Sequence, residues 1–313
     1  SIEPFGGIQV IFTGDFFQLP PVPNNADDDS DKFCFESPLW NNIFTSQIQL
    51  KEIFRQSDEK YIKILNQIRI GKLTKSTVTT LNSFVGRKLD DGQTILPTIL
   101  YPTRKKVDSI NTTSLNKLEG NYRCFDYKYC TPQDLTLSKE QLSMSSLWNN
   151  DQIGHEKKYM SENINFDNQV KLKIGAQVMC IANIDLEGEN PICNGSRGII
   201  KDFDSNGYPI VLFKNGSERK IGYHIWQSEL IPSIGVKQIP LILAWAITIH
   251  KSQGASLDLA EIDIGNQIFE CGQTYVALSR VTSLDGLYLK SFNPSKIMIN
   301  RKVIEFYEAL GKN

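Results

Sequence analysis

AWAITIHKSQGASLD, residues 244–258, opens as a buried strand and turns within a few residues into something no strand tolerates. Its apolar half completes the run Leu241 to Ile247. That is one strand's length, and even the longer run from Ile239 is far too short to cross a bilayer. His250, Lys251, Ser252, Gln253 and Gly254 then follow at once. Five polar or flexible residues placed directly after a buried strand cost free energy unless something binds there. The blander account is a solvated helix end.

The same rhythm recurs on both sides. Downstream come a strand at Ala260 to Ile264, a helix near Tyr275, a strand at Gly286 to Leu289 and a closing helix over Val303 to Leu310. Upstream, Ile95 to Tyr101 reads as a strand despite Pro97. The helix after it aligns Val107, Ile110, Ser114 and Leu118. Earlier still, Tyr61, Ile64, Leu65 and Ile68 share one helical face that Ser57 or Asp58 can cap and Gly71 can end, and a second helix carries Val78, Leu81 and Phe84. Strand, turn, helix in succession is the α/β pattern. Residues 121–168 are polar and weakly patterned, the place for a variable insertion. Short β segments come next: Val170 to Ile174, Gln177 to Ala182, Gly198 to Lys201, Pro209 to Phe213 and Glu218 to Tyr223. Asn-Gly turns at 194–195, 206–207 and 215–216 separate several of them, the spacing of a small antiparallel barrel.

Near the start, Ile8 to Thr13 (IQVIFT) reads as a buried strand ended by Gly14-Asp15, opening GDFFQLPPV, residues 14–22. A strand ending in Gly-Asp puts polar groups at the carboxyl edge of a sheet, where α/β proteins bind ligands. Gln18 there can orient a water or a phosphate oxygen, and Pro20-Pro21 stiffens the loop. Asp27, Asp28, Asp29 and Asp31, with Asn24 and Asn25, read as a solvated loop. In LKEIFRQ, residues 50–56, Arg55 stands just before a helix cap, within reach of a phosphate, although a lone arginine is usually a surface cation. Thr103 to Lys106 follow a strand end and suit a nucleic-acid backbone. In GQTYVALSR, residues 272–280, the apolar helix face holds Arg280 rigidly at its end, as an arginine finger requires.

Net charge is −1 and the isoelectric point about 6.3, so no global basic field advertises nucleic acid, and only a local positive groove is open to it. The six cysteines form no C-x-x-C pair and the three histidines lie apart from them. A disulfide framework or zinc site is therefore not expected, and no metal ligand is assigned. With no signal peptide visible, the chain reads as soluble and intracellular, without a membrane partner.

Taken in order, these segments resemble the motifs of superfamily-one 5′-to-3′ DNA helicases of the PIF (petite-integration-frequency) family. The resemblance runs from Pro4-Phe5-Gly6-Gly7 to the last helix and is nearly letter-perfect in GDFFQLPPV, IHKSQG and YVALSR. QVMCIANID followed by NGSRGII is similar to the family's entry into a small barrel of Src-homology-3 type. The resemblance implies an α/β, RecA-like P-loop NTPase fold, here the helicase second domain with an inserted SH3-like β-barrel. The expected boundaries are 1–45 as a remnant of the first RecA-like domain, 46–189 and 239–313 as the second, and 190–238 as the barrel. It further implies that ATP, with Mg2+, lies between two such domains. Asp15, Gln18, Arg55, Gln253, Gly254 and Arg280 would be on the nucleotide side, with Gln18, Arg55 and Arg280 catalytic. Thr103, His250, Lys251 and Ser252 would touch single-stranded DNA, and duplex junctions would be partners.

One departure stands out. No G-x-x-x-x-G-K-[ST] occurs: Gly71-Lys72 runs into Leu73, and Gly311-Lys312 into Asn313. No apolar strand ends in Asp-Glu for magnesium either. In the family both precede Pro4-Phe5-Gly6-Gly7, so the expectation is a helicase half that completes an ATPase with a further N-terminal portion. On that expectation Ile8, Val10 and Phe12 stay exposed. The competing readings are a non-enzymatic DNA- or partner-binding remnant and an unrelated α/β nucleotide enzyme.

Overall fold

A computed structural model describes residues 3–21, 32–88, 95–131, 133–164, 166–186 and 190–311. The acidic run near residues 27–31, Val22 and the last two residues lie outside the described residues. The chain divides into two compact units. One comprises Ser1–Leu89, Ile99–Thr103 and Thr248–Asn313, and the other Asp90–Thr98 and Arg104–Ile247. In chain order the elements are α1 (Trp40–Ile43), α2 (Glu59–Arg69), α3 (Lys75–Ser83), β1 (Thr98–Tyr101), α4 (Arg104–Lys117), β2 (Arg123–Asp126) and β3 (Lys128–Tyr129). Then come α5 (Lys139–Ser145), α6 (Asn150–Asn163), β4 (Gln169–Leu172), β5 (Gln177–Cys180), β6 (Arg197–Phe203), β7 (Pro209–Phe213) and β8 (Glu218–Lys220). The chain closes with β9 (His224–Gln227), β10 (Gly235–Gln238), β11 (Leu241–Leu243), β12 (Ala246–Thr248), β13 (Ala260–Ile264), α7 (Gln273–Ser279), β14 (Leu287–Phe292) and α8 (Arg301–Leu310).

The first unit is built on a four-stranded sheet in the order β12-β1-β13-β14, with β13 and β14 parallel. Helix α2 forms as its sequence dictates. The Asp58 carboxylate accepts from the Lys60 and Tyr61 amides at 2.8 and 3.2 Å, while Tyr61, Ile64, Leu65 and Ile68 are buried. Gly71 takes the left-handed φ of +70° just past its end. In α4 the buried residues are Val107 and Leu115, one position off the expected Ser114 line. A second cluster packs Phe17 and Phe33 on Val303, with Phe16, Phe35, Tyr275 and Tyr307 partly buried against them. Residues 15–18 are thereby docked within the same unit as α7 and α8, so the expected boundary at residue 45 does not appear here.

Ile8 to Thr13 form no strand among the described residues, contrary to expectation, because no neighbouring strand pairs with them and an unpaired strand satisfies none of its ladder bonds. Ile8, Val10 and Phe12 are 73%, 39% and 58% exposed, matching the expected exposure.

In the second unit β11-β5-β6-β7-β8 form a five-stranded antiparallel sheet over a core that includes Val178, Ile200, Val211 and Leu241. The expected insert of residues 190–238 is narrower than this sheet, which takes β5 from before it and β11 from after it. Strands β9 and β10 instead join β3 in a sheet of three, and β2 pairs with β4. The expected Asn-Gly turns are present, with Gly195, Gly207 and Gly216 at positive φ. The weakly patterned stretch 121–168 contains α5 and α6, each opened by a reciprocal capping box, Ser138 with Gln141 and Asn149 with Gln152.

The run Leu241 to Ile247, expected as a single strand, is two. The Asn111 side chain of α4 intervenes, accepting from the Ala246 amide at 2.9 Å and donating to the Ala246 carbonyl at 2.8 Å. Meanwhile the Ala244 amide bonds the Gln177 carbonyl. Backbone groups between β11 and β12 are thus satisfied by side chain and neighbour rather than by one continuous ladder.

Candidate active site and nucleic-acid interface

Helix α7 organises the site. Its N-cap is Gly272, with φ +73°. A Cβ added there would fall 2.5 Å from the Phe17 carbonyl oxygen and closer still to that of Gln18. Only glycine lets the GDFFQ loop lie this close to the start of the helix. Gln18, so placed, accepts through Oε1 from Gln253 Nε2 at 3.2 Å. Two of the residues expected beside a triphosphate therefore meet. Gly254 adopts φ +85° with open space around it.

Arg280 lies at the other end of α7. It is 2% exposed, donating through Nε to the Val276 carbonyl at 3.0 Å and through Nη2 to Ser279 Oγ at 2.8 Å. Burial first, and then the Arg55 guanidinium, pull its pKa down to about 10, while Tyr275 acts in the opposite sense. No carboxylate is among these influences. Exposed Arg55 donates to the Ser279 carbonyl at 3.3 Å, so the two arginines converge on one residue. Two guanidiniums brought to one residue are an arrangement that can seat an anion.

Asp15, expected on the nucleotide side, is engaged by neighbours within the chain. Arg69 of α2 holds its carboxylate at 2.8 and 3.3 Å, the Phe17 amide reaches it at 3.2 Å and Tyr307 at 3.4 Å. The Arg69 guanidinium also stands 4.3 Å over the Phe17 ring. Its lone pairs taken by these donors, Asp15 anchors the loop that carries Gln18. Tyr275, pushed up to about 12 chiefly by burial and next by Asp15, lies within the influence of both Arg69 and Arg280.

Among the nucleic-acid candidates, the Ile249 amide bonds the Tyr101 carbonyl at 2.9 Å. Thr103 and His250 thus leave from neighbouring strand ends. His250 is exposed, and burial of part of its ring holds its pKa below the usual 6.5, opposed by Glu270. It is neutral near pH 7 and offers a hydrogen bond rather than a charge. Lys251 is half-buried. Ser252 is the exception: it is fully buried and its hydroxyl donates to the Ile249 carbonyl at 2.7 Å. Its expected DNA contact is corrected, since the hydroxyl closes the turn from inside. Sequence reasoning missed Gln56, buried beside Arg55 and bonded to the Ser279 and Val281 carbonyls. Its proximity to Arg55 in the chain was the only available signal.

The family description "PIF1-like helicase" matches residues 1–79, and that of the Pif1 DNA helicase 2B domain matches residues 162–203. The ATP-dependent DNA helicase PIF1 of Danio rerio is 35% identical over 100% of this chain and 45% of its own length. The human protein of the same name is 33% identical over 99% and 45%. The chain spans less than half the length of these curated relatives. Among solved structures, the Pif1 helicase from Candida albicans superposes with a TM-score of 0.71 at 34% identity, covering 99% of this chain and 70% of that one. A Bacteroides Pif1 in complex with ADP-AlF3 and single-stranded DNA gives 0.64 at 28% identity, covering 100% and 69%. These neighbours accord with an α/β, RecA-like helicase fold. An ordered set of motifs, a site that meets at Gln18–Gln253 and Arg55–Arg280, and matches along the whole chain place this protein in the PIF1-like helicase family.

Proposed function

We propose that this chain forms the second-domain half of an ATP-dependent 5′-to-3′ DNA helicase, with the five-stranded sheet and its neighbours acting as an SH3-like barrel inserted at about residues 177–243. The observation that carries the reading is the convergence of Arg55 and buried Arg280 on Ser279, with no carboxylate among the described residues acting on the Arg280 charge. Polyphosphate is the ligand class that offers concentrated negative charge to two rigid guanidiniums. As negative charge spreads over the transferring phosphoryl oxygens, Arg55 and Arg280 stabilise it, an effect worth roughly 10³–10⁵ in rate for such arginines. Gln18, held by Gln253, orients the attacking water.

Asp15, its carboxylate held by Arg69, serves as the loop's anchor in this reading and not as a magnesium ligand. Magnesium and the phosphate cradle are assigned to the remainder of a longer helicase, in keeping with relatives of which this length is less than half. Thr103, His250 and Lys251 face the single strand's backbone. Gln253 and Lys251, two residues apart in one turn, link the two functions, so nucleotide-driven movement of that turn displaces DNA.

The test is steady-state phosphate release by the full-length helicase, with and without single-stranded DNA. We expect DNA-stimulated turnover that Arg280→Ala lowers by about 10³-fold or more, and no turnover from the 313-residue chain alone. Unaltered turnover in Arg280→Ala would overturn the proposal.

A further inference from the structure

We infer that Gln56 is a positioning residue that holds Arg55 and Arg280 together against their mutual repulsion. The inference rests on the polyphosphate reading above but makes a separate claim. The last carbonyls of a helix have no partner within it. At the end of α7 the carbonyls of residues 278–281 all find donors from elsewhere in the chain. Tyr61 Oη donates to Leu278 at 2.6 Å, Arg55 Nη1 and Gln56 Nε2 to Ser279, the Leu257 amide to Arg280 at 2.8 Å, and Gln56 Nε2 again to Val281. Gln56 alone among these side chains spans Arg280, with one amide nitrogen 3.1 Å from the carbonyl before it and 3.1 Å from the carbonyl after it.

The two bonds have a consequence that packing lacks. Arg55 and Gln56 are adjacent, so fixing the Gln56 amide fixes the backbone that launches Arg55. The same amide fixes the backbone on both sides of Arg280. The Arg55 guanidinium already disfavours the charge on Arg280, and without a clamp the two would separate. The requirement is a short side chain ending in an N–H donor, reaching two acceptors in a buried space. Glutamine meets it. Glutamate, of the same shape, would set a carboxylate against two carbonyl oxygens, and methionine would fill the volume without donating.

The experiment has two arms on the full-length helicase. In the first, the exchange rate of the Arg280 Nε–H is followed by nitrogen-15 NMR, its resonance assigned through Arg280→Lys. Wild type should show slow exchange, and Gln56→Met and Gln56→Glu should both quicken it at least about tenfold. Unchanged exchange in both variants, while the fold's melting is also unchanged, overturns the positioning role whatever the enzyme does. In the second arm, Gln56→Met should lower kcat for ATP about 10–100-fold, the penalty of slight misplacement, with little change in KM. In an Arg280→Ala background the further loss should be clearly smaller, because only the part that acts through Arg55 remains. An equal loss in both backgrounds marks general destabilisation and sinks the inference. Faster Arg280 exchange with no ATP turnover in wild type would instead refute the proposed function and keep the clamp.

Discussion

At the scale of single residues, the turn 248–255 separates what a sequence pattern can and cannot show. Lys251 and Ser252 are neighbours with opposite placements. Lys251 is half-buried at the surface, whereas Ser252 is sealed beneath it with its hydroxyl on the Ile249 carbonyl. Lys251→Ala should therefore weaken single-strand binding and flatten its salt dependence by about 0.7 in log–log slope, one phosphate contact's worth. Ser252→Ala should leave that slope unchanged and lower stability by about 1 kcal/mol. Fluorescence anisotropy across a salt series, with a parallel urea melt, separates the two. A slope that moves in Ser252→Ala and not in Lys251→Ala would reverse the assignment. Polarity flagged the turn correctly. Which hydroxyl closes it depends on backbone geometry three residues away, and composition does not carry that.

At the scale of elements, α2 was open to reading because cap, apolar face and terminal glycine agree along one short stretch, and β7 and β13 have the expected bounds. What escaped notice is a set of buried glutamines, a residue type ordinarily found at the surface. Gln177 bonds the Leu96 and Ala244 carbonyls at 2.9 Å each. Gln238 donates to the Phe125, Asp167 and Asn168 carbonyls and accepts from the Ile239 amide. Each joins elements through backbone atoms, and backbone acceptors have no signature in side-chain periodicity. Replacing Gln238 by alanine removes the side-chain donor to the Phe125 and Asp167 carbonyls, while the Asn168 carbonyl keeps the Tyr127 amide. We expect a loss of about 1–3 kcal/mol in a urea titration of the chain, with little change in slope. A loss below a few tenths of a kcal/mol would mean that water replaces the amide.

At the scale of the whole molecule, neither unit is made from one continuous piece of chain, and the boundaries cut through β1 and β12. The resemblance anticipated interruption of one domain by another but placed the joints by motif, whereas contacts place them where the chain changes core. The discontinuity sets an order of events during synthesis. Residues 1–89 need residues 248–313 to complete their unit, and about 160 residues of chain must be made in between. At roughly 5–20 residues per second the ribosome keeps them waiting for about 10–30 s. For that interval Leu65, Ile68 and Leu81, buried in the finished protein, are without α7 and β14. Nascent chains arrested far enough past residue 247 for the second unit to clear the tunnel, with the rest still inside it, should yield to protease within the first 89 residues while residues 104–247 resist, and chains released at full length should resist in both. Equal protection of both regions in the arrested chain would contradict this order. A chain of this design leaves the tunnel with residues 1–89 completed only after residues 104–247, and holdase chaperones would find their substrate there.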